Sequence, residues 1–116
     1  MSLQLTDYVA LAEELVLRDD EVAHRAAVSR CYWAVFSAAR IAMGLKGHVV
    51  RDIHREVIER YRISPVRGEQ EVGFILDLLR RFRNHADYDE DTALNKGIAQ
   101  RAVLYAKHAL SLLDKG

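Results

Sequence analysis

The stretch from residue 21 to residue 43 constrains this chain more than any other. Val28, Cys31, Tyr32, Ala34, Val35, Phe36, Ala38, Ala39, Ala42 and Met43 leave it almost no polar side. A helix that is apolar nearly all round must lie in the middle of other helices. No apolar run approaches the roughly 18 residues that suggest a membrane span, so protein and not lipid is expected to cover it. Its polar exceptions share one stripe: Arg30, Trp33, Ser37 and Arg40 fall at i, i+3, i+7 and i+10. An unpartnered buried charge is expensive, so these two arginines need partners or a cleft.

The rest of the chain supplies the covering helices. Only one proline is present, Pro65, and scarce breakers favour long helices. A first helix is expected from Thr6, as N-cap, to about Leu17, with Leu5, Tyr8, Ala12, Leu15 and Val16 on one side. Asp19 and Asp20 then cap the spine, which ends before Gly44. After Gly44 and Gly47 a third helix is expected over about 49–61, with Ile53, Val57 and Tyr61 inward. A loop follows around residues 63–68. The fourth helix begins near Glu69 and buries Val72, Ile75, Leu76, Leu79, Phe82 and Ala86. Residues 89–92 form a turn and an acidic cap region for a fifth helix, whose inward stripe is Ile98, Ala102, Tyr105, Ala109 and Leu112. The expectation is an all-α, antiparallel bundle of about five helices in a single domain over residues 1–116.

The formal net charge of zero conceals an asymmetry. Residues 1–21 carry one base and six acids, whereas residues 22–68 carry nine bases against Asp52, Glu56 and Glu59. The bases of the middle are mostly arginine, the side chain best suited to bidentate contact with phosphate; a solvated face paired to acidic helices is the alternative. Cys31 is the only cysteine, and His24, His48 and His108 show no ligand spacing with it or with one another, so neither a metal nor a cofactor is expected. The opening Met1 to Asp7 lacks the basic flank, apolar core and cleavage site of a secretory signal, and the expected compartment is the cytoplasm.

The polar run Arg83-Asn84-His85-Ala86-Asp87-Tyr88 ends the fourth helix. Arg80, Arg83, Asn84 and Asp87 stand at i, i+3, i+4 and i+7 and share a face beside the apolar stripe. One turn beyond Arg83, Asp87 can hold its guanidinium in place. An arginine fixed in this way, beside an amide donor, can grip a phosphate or steady negative charge developing on one. Spacing equally permits an ordinary helical ion pair with Tyr88 packed over the end. His54, near Ile58 and Tyr61, reaches the same cleft if helices two, three and four meet; the alternative, and the commoner case for a lone histidine at an apolar rim, is a hydrogen-bonded structural residue.

Three blocks of this sequence resemble the HEPN-domain family of small prokaryotic helical proteins. Ser29-Arg30-Cys31-Tyr32-Trp33-Ala34-Val35-Phe36-Ser37-Ala38-Ala39-Arg40 is similar to the family's Arg-x-Tyr-Tyr-Ala-x-Phe helix. His54 with Val57-Ile58 resembles its His-x-x-x-Ile helix, and Arg83-Asn84-x-Ala86-Asp87-Tyr88 resembles its signature near the end of helix four. The blocks cover about residues 25–90 in family order. The resemblance implies a homodimer, a small nucleotidyltransferase partner, and a place in a toxin–antitoxin pair. It also implies metal-independent ribonuclease chemistry in many members, with an arginine, a polar residue directly after it, and a histidine five to seven positions after the arginine. Arg83 and Asn84 take the first two catalytic positions. Tyr88 and Asp89 stand five and six positions beyond Arg83, so the motif histidine is missing, and a tyrosine of ordinary pKa about 10 is a poor base at neutral pH. Arg80 and His85 meet the spacing, but Arg81 follows Arg80, and five residues put the two about 140° apart on a regular helix.

The resulting expectation is an RNA- or nucleotide-phosphate-binding module with degenerate or weak ribonuclease activity. Its binding residues are Arg30, Arg40, His54, Arg80, Arg83, Asp87 and Tyr88. The alternative is a protein-interaction bundle whose polar run is structural.

Overall fold

The computed structural model describes residues 4–44 and 52–115, which form an all-α bundle of five helices with no strand among the described residues. In chain order these are α1 (Leu5–Leu17), α2 (Glu21–Ala42), α3 (Ile53–Arg62), α4 (Arg67–Tyr88) and α5 (Lys96–Lys115). The apolar spine is α2, and each of the other four helices packs against it. Val28, Cys31, Tyr32, Ala34, Val35, Phe36 and Ala39 are all buried along it, whereas Ala42, at its last turn, is exposed.

Helix starts follow the local hydrogen bonding more closely than the side-chain preferences. Asp20 caps α2, its carboxylate accepting the Ala23 N–H at 2.6 Å, while Asp19 is exposed and takes no such part. Asp52 does the same for α3 through the Arg55 N–H at 3.1 Å; the expected start at 49 lies outside the described residues. The expected Thr6 cap is corrected: the cap is Gln4, whose carbonyl accepts the Asp7 N–H, and Thr6 lies within the first turn. On α1, Val9 joins Ala12 and Val16 in the core, and Tyr8 and Leu15 are partly buried against it.

The α4 start is also corrected, from Glu69 to Arg67, because Ser64 organises the turn before it. Its hydroxyl donates to Glu69 Oε1 at 2.6 Å and accepts the Val66 N–H, an arrangement that lets the helix begin two residues earlier. At the other end of the chain, Asn95 replaces the acidic run as the cap of α5, its amide oxygen accepting the Ile98 N–H at 2.9 Å. Asp89 instead closes the preceding turn onto the Thr92 N–H.

Close approach fixes the α3–α4 crossing. A Cβ on Gly73 would lie 2.5 Å from the Arg62 backbone nitrogen, so only glycine fits there. Nearby, the Tyr61 hydroxyl donates to the Ala39 carbonyl at 3.1 Å and ties α3 to the spine. These contacts bring one face of α2 opposite the start of α3 and the end of α4.

Candidate functional site

Where α2, α3 and α4 meet, a groove of about 520 Å³ is lined by Arg25, Ala26, Ser29, Arg30, Tyr32, Trp33, His54, Arg83 and Asp87. Three of its side chains are arginines and one is a carboxylate; Arg25 is paired with Glu21 and Arg83 with Asp87, and Arg30 brings a further positive charge. A larger hollow of about 840 Å³ lies between α1, α2 and α5. Of its charges, Lys107 is already paired with Glu13 at 2.9 Å. Chemistry, not size, singles out the groove on α4.

Arg83 is held at three points. Its Nε donates to Asp87 Oδ2 at 3.1 Å, and its Cζ stands 5.7 Å from the ring centroids of both Tyr32 and Tyr88. Asp87 is fixed in turn, because the Ser29 hydroxyl donates to its other oxygen. The guanidinium is thus oriented while keeping N–H groups beyond the Nε donor available, the arrangement suited to bidentate contact with phosphate. Arg30 is exposed and has no ion pair among the described residues.

Arg25 has a different role. Its Nη1 donates to the carbonyls of His85, Ala86 and Asp89, and its Nη2 to that of Thr92, at 2.6 to 3.1 Å. Glu21 accepts from its Nε and takes the Leu94 N–H with its other oxygen. A helix end leaves carbonyls without intrahelical donors, and Arg25 supplies donors for the end of α4. It is therefore a structural latch beneath the groove and is already engaged.

His54 sits against Phe36, with ring centroids 4.2 Å apart, and its Nδ1 is 2.7 Å from the Tyr32 hydroxyl. Burial, then the neighbouring Arg80 and Arg83 charges, hold its pKa below the usual histidine value, with Asp52 opposing them. Burial pushes Tyr32 up to about 12. The Tyr32 hydroxyl therefore stays protonated and engages Nδ1, in a hydrogen bond whose donor is set by the ring's tautomer, and Nε2 is the ring nitrogen left for a ligand. With Nε2 protonated His54 donates to a ligand oxygen, and with Nε2 unprotonated it accepts.

The expected binding residues are only partly brought together. Arg30, His54, Arg83 and Asp87 line the groove. Arg80 flanks it, 3.8 Å from Asp52, and Tyr88, 70 % exposed, stacks near Arg83 without lining it. Asn84 is exposed and outside the groove, because one residue turns the helix by about 100° away from Arg83. Arg40 is displaced by ten residues, roughly 15 Å along α2 from Arg30, and its Nε is buried with no hydrogen-bond partner among the described residues. The Arg80–His85 pairing does not form either: Arg80 turns to Asp52, and His85 Nδ1 lies 3.1 Å from Asp89.

Ser29, Tyr32 and Trp33 were not expected among the site residues, although all three fall within the α2 block that carries the HEPN resemblance. Ser29, one turn from Trp33 and next to Arg30, carried a weak signal. Nothing in the sequence pairs Tyr32 with His54, which follows it by 22 residues. Among the described residues no three His, Cys, Asp or Glu side chains gather in a way that could hold a metal ion, and no helix is long and apolar enough to cross a membrane. Comparison with family models, curated proteins and solved structures finds no match. The HEPN resemblance rests on the three sequence blocks alone.

Proposed function

We propose that this chain binds a phosphate of RNA or of a nucleotide in the α2–α3–α4 groove, with Arg83 as the principal contact and Arg30 and His54 assisting. The observation that carries the reading is the orientation of Arg83 by Asp87, itself fixed by Ser29, beside a second arginine with no ion pair among the described residues. A charge-assisted hydrogen bond is worth roughly twice a neutral one, and an arginine ordered before binding loses less freedom when it binds. The HEPN resemblance extends the proposal to a homodimer that works with a small nucleotidyltransferase, in a toxin–antitoxin setting. Binding is favoured over cleavage because Tyr88 stands where the motif histidine belongs.

The test is binding of the purified protein to single-stranded RNA at low salt, beside Arg83→Ala. A phosphate site at Arg83 entails loss of affinity in the variant and little metal-free cleavage by either protein. Arg83-dependent cleavage would overturn the preference for binding, and equal affinity of the two proteins would remove the phosphate site.

A second reading has an observation of its own. Much of the polar run is satisfied internally: Arg83 by Asp87, His85 by Asp89, and the last carbonyls of α4 by Arg25. A protein-interaction bundle whose motif only closes the helix would show the same pairing. In that case Arg83→Ala lowers the melting temperature or weakens self-association and leaves ligand binding unchanged.

A further inference from the structure

We infer that Trp33 is a base-stacking platform, so that the groove takes an unpaired nucleobase together with its phosphate and selects single-stranded nucleic acid over sugar phosphates and duplexes. The inference rests on the phosphate reading of Arg83 and names what that reading leaves open, the part of the ligand beyond the phosphate.

Trp33 is the chain's one tryptophan. It is 42 % exposed, although Tyr32, Ala34, Val35 and Phe36 beside it are all buried, and it lines the groove with Arg30 and Arg83. A large indole left partly in water next to a covered core forgoes some of the stabilisation that burial gives it. Its position is braced: the ring packs at 41° to Phe36, with centroids 6.3 Å apart, and Phe36 is itself buried and stacked on His54. A ring held in place offers a π-face at little further entropic cost.

The neighbouring chemistry narrows the ligand. Arginines beside an exposed aromatic ring suit a molecule with an anionic group on one side and a flat π-system on the other. A nucleotide has both, whereas a sugar phosphate or inorganic phosphate has only the first. In a duplex the base faces are already stacked on one another and A-form grooves present edges and backbone, so a stacking platform reads unpaired bases.

The single tryptophan makes the test direct. Trp33 fluorescence and affinity are measured against a short adenine-only RNA, the same strand paired to its complement, and an abasic strand of equal length. The adenine strand is expected to quench Trp33 and to bind roughly tenfold more tightly than the abasic strand. The duplex and the abasic strand are expected to leave the emission unchanged. Trp33→Ala should abolish the preference for the adenine strand, and Trp33→Phe should retain most of it, with both variants melting near wild type. Equal affinity for the adenine and abasic strands in the wild type would overturn the inference. So would a Trp33→Ala variant that binds both strands more weakly by the same factor, or that only loses self-association. The phosphate reading fails by a different sign: Arg83→Ala then leaves the affinity for both strands unchanged, and binding of neither strand removes both ideas.

Discussion

At the scale of single residues, the groove depends on side chains that fix other side chains. Asp87 accepts from Ser29 and from Arg83. Removing it leaves the guanidinium with its charge and without its aim. Asp87→Ala is therefore expected to weaken RNA binding several-fold at unchanged salt, although it deletes a negative charge that by itself repels phosphate. Tighter binding by that variant would show that orientation contributes less than charge. His54 sets a pH dependence whose sign follows from its lowered pKa. The unfolded chain takes up the imidazole proton first as pH falls below about 6.5, so the contribution of neutral His54 to stability is present in full above that pH and is lost as the pH falls through the folded-state value. A His54→Gln variant should accordingly lose less melting temperature than wild type on acidification across that range. Parallel melting curves would contradict the assignment. The Arg83–Asp87 pair was legible in the sequence because the two sit one turn apart on one helix. The Tyr32–His54 pair was not, because residues 22 apart on different helices meet only through the packing of α3 on α2.

At the scale of elements, two contacts decide whether the site's helices stay in register. The α3–α4 crossing has no room for a methyl group at Gly73. Gly73→Ala must push against backbone and not against a flexible side chain, and overpacking of this kind costs about 1–3 kcal/mol. Thermal denaturation should show a melting temperature lower by several degrees or more, and an unchanged midpoint would mean that the helices separate freely. Arg25 closes the end of α4 with donors to four carbonyls. Arg25→Ala should loosen Asp89–Thr92 and speed amide exchange in the last turn of α4, while Arg25→Lys, a point charge without the planar fork, should rescue it only in part. Helix existence and type were readable from apolar periodicity. The corrected starts at Gln4 and Arg67 and the Asn95 cap were not, because a carbonyl, a serine turn and an amide outside the expected acidic run made the deciding hydrogen bonds.

At the scale of the whole molecule, α2 organises both the fold and the site. Its all-round apolar character is enough to place it at the centre of a bundle, and four helices do cover it. The face that opens onto the groove carries Arg30 and Trp33, part of the polar stripe visible in the sequence; the stripe's other half diverges, with Ser37 buried and Arg40 outside the groove. Charge along the chain follows the same division, since the arginine-rich middle supplies α2 and α3 and the acidic start supplies α1. Steering by that asymmetry should make RNA binding fall steeply with ionic strength. Everything proposed for the groove depends on Arg83 gripping phosphate, and the decisive measurement is a titration of single-stranded RNA into wild type and Arg83→Ala across a salt series, with melting temperature followed in parallel. A phosphate grip entails an affinity loss of roughly tenfold to a hundredfold at low salt, a shallower salt dependence in the variant, and a melting temperature close to wild type. Equal affinity and equal salt dependence, with only the melting temperature lowered, would refute it.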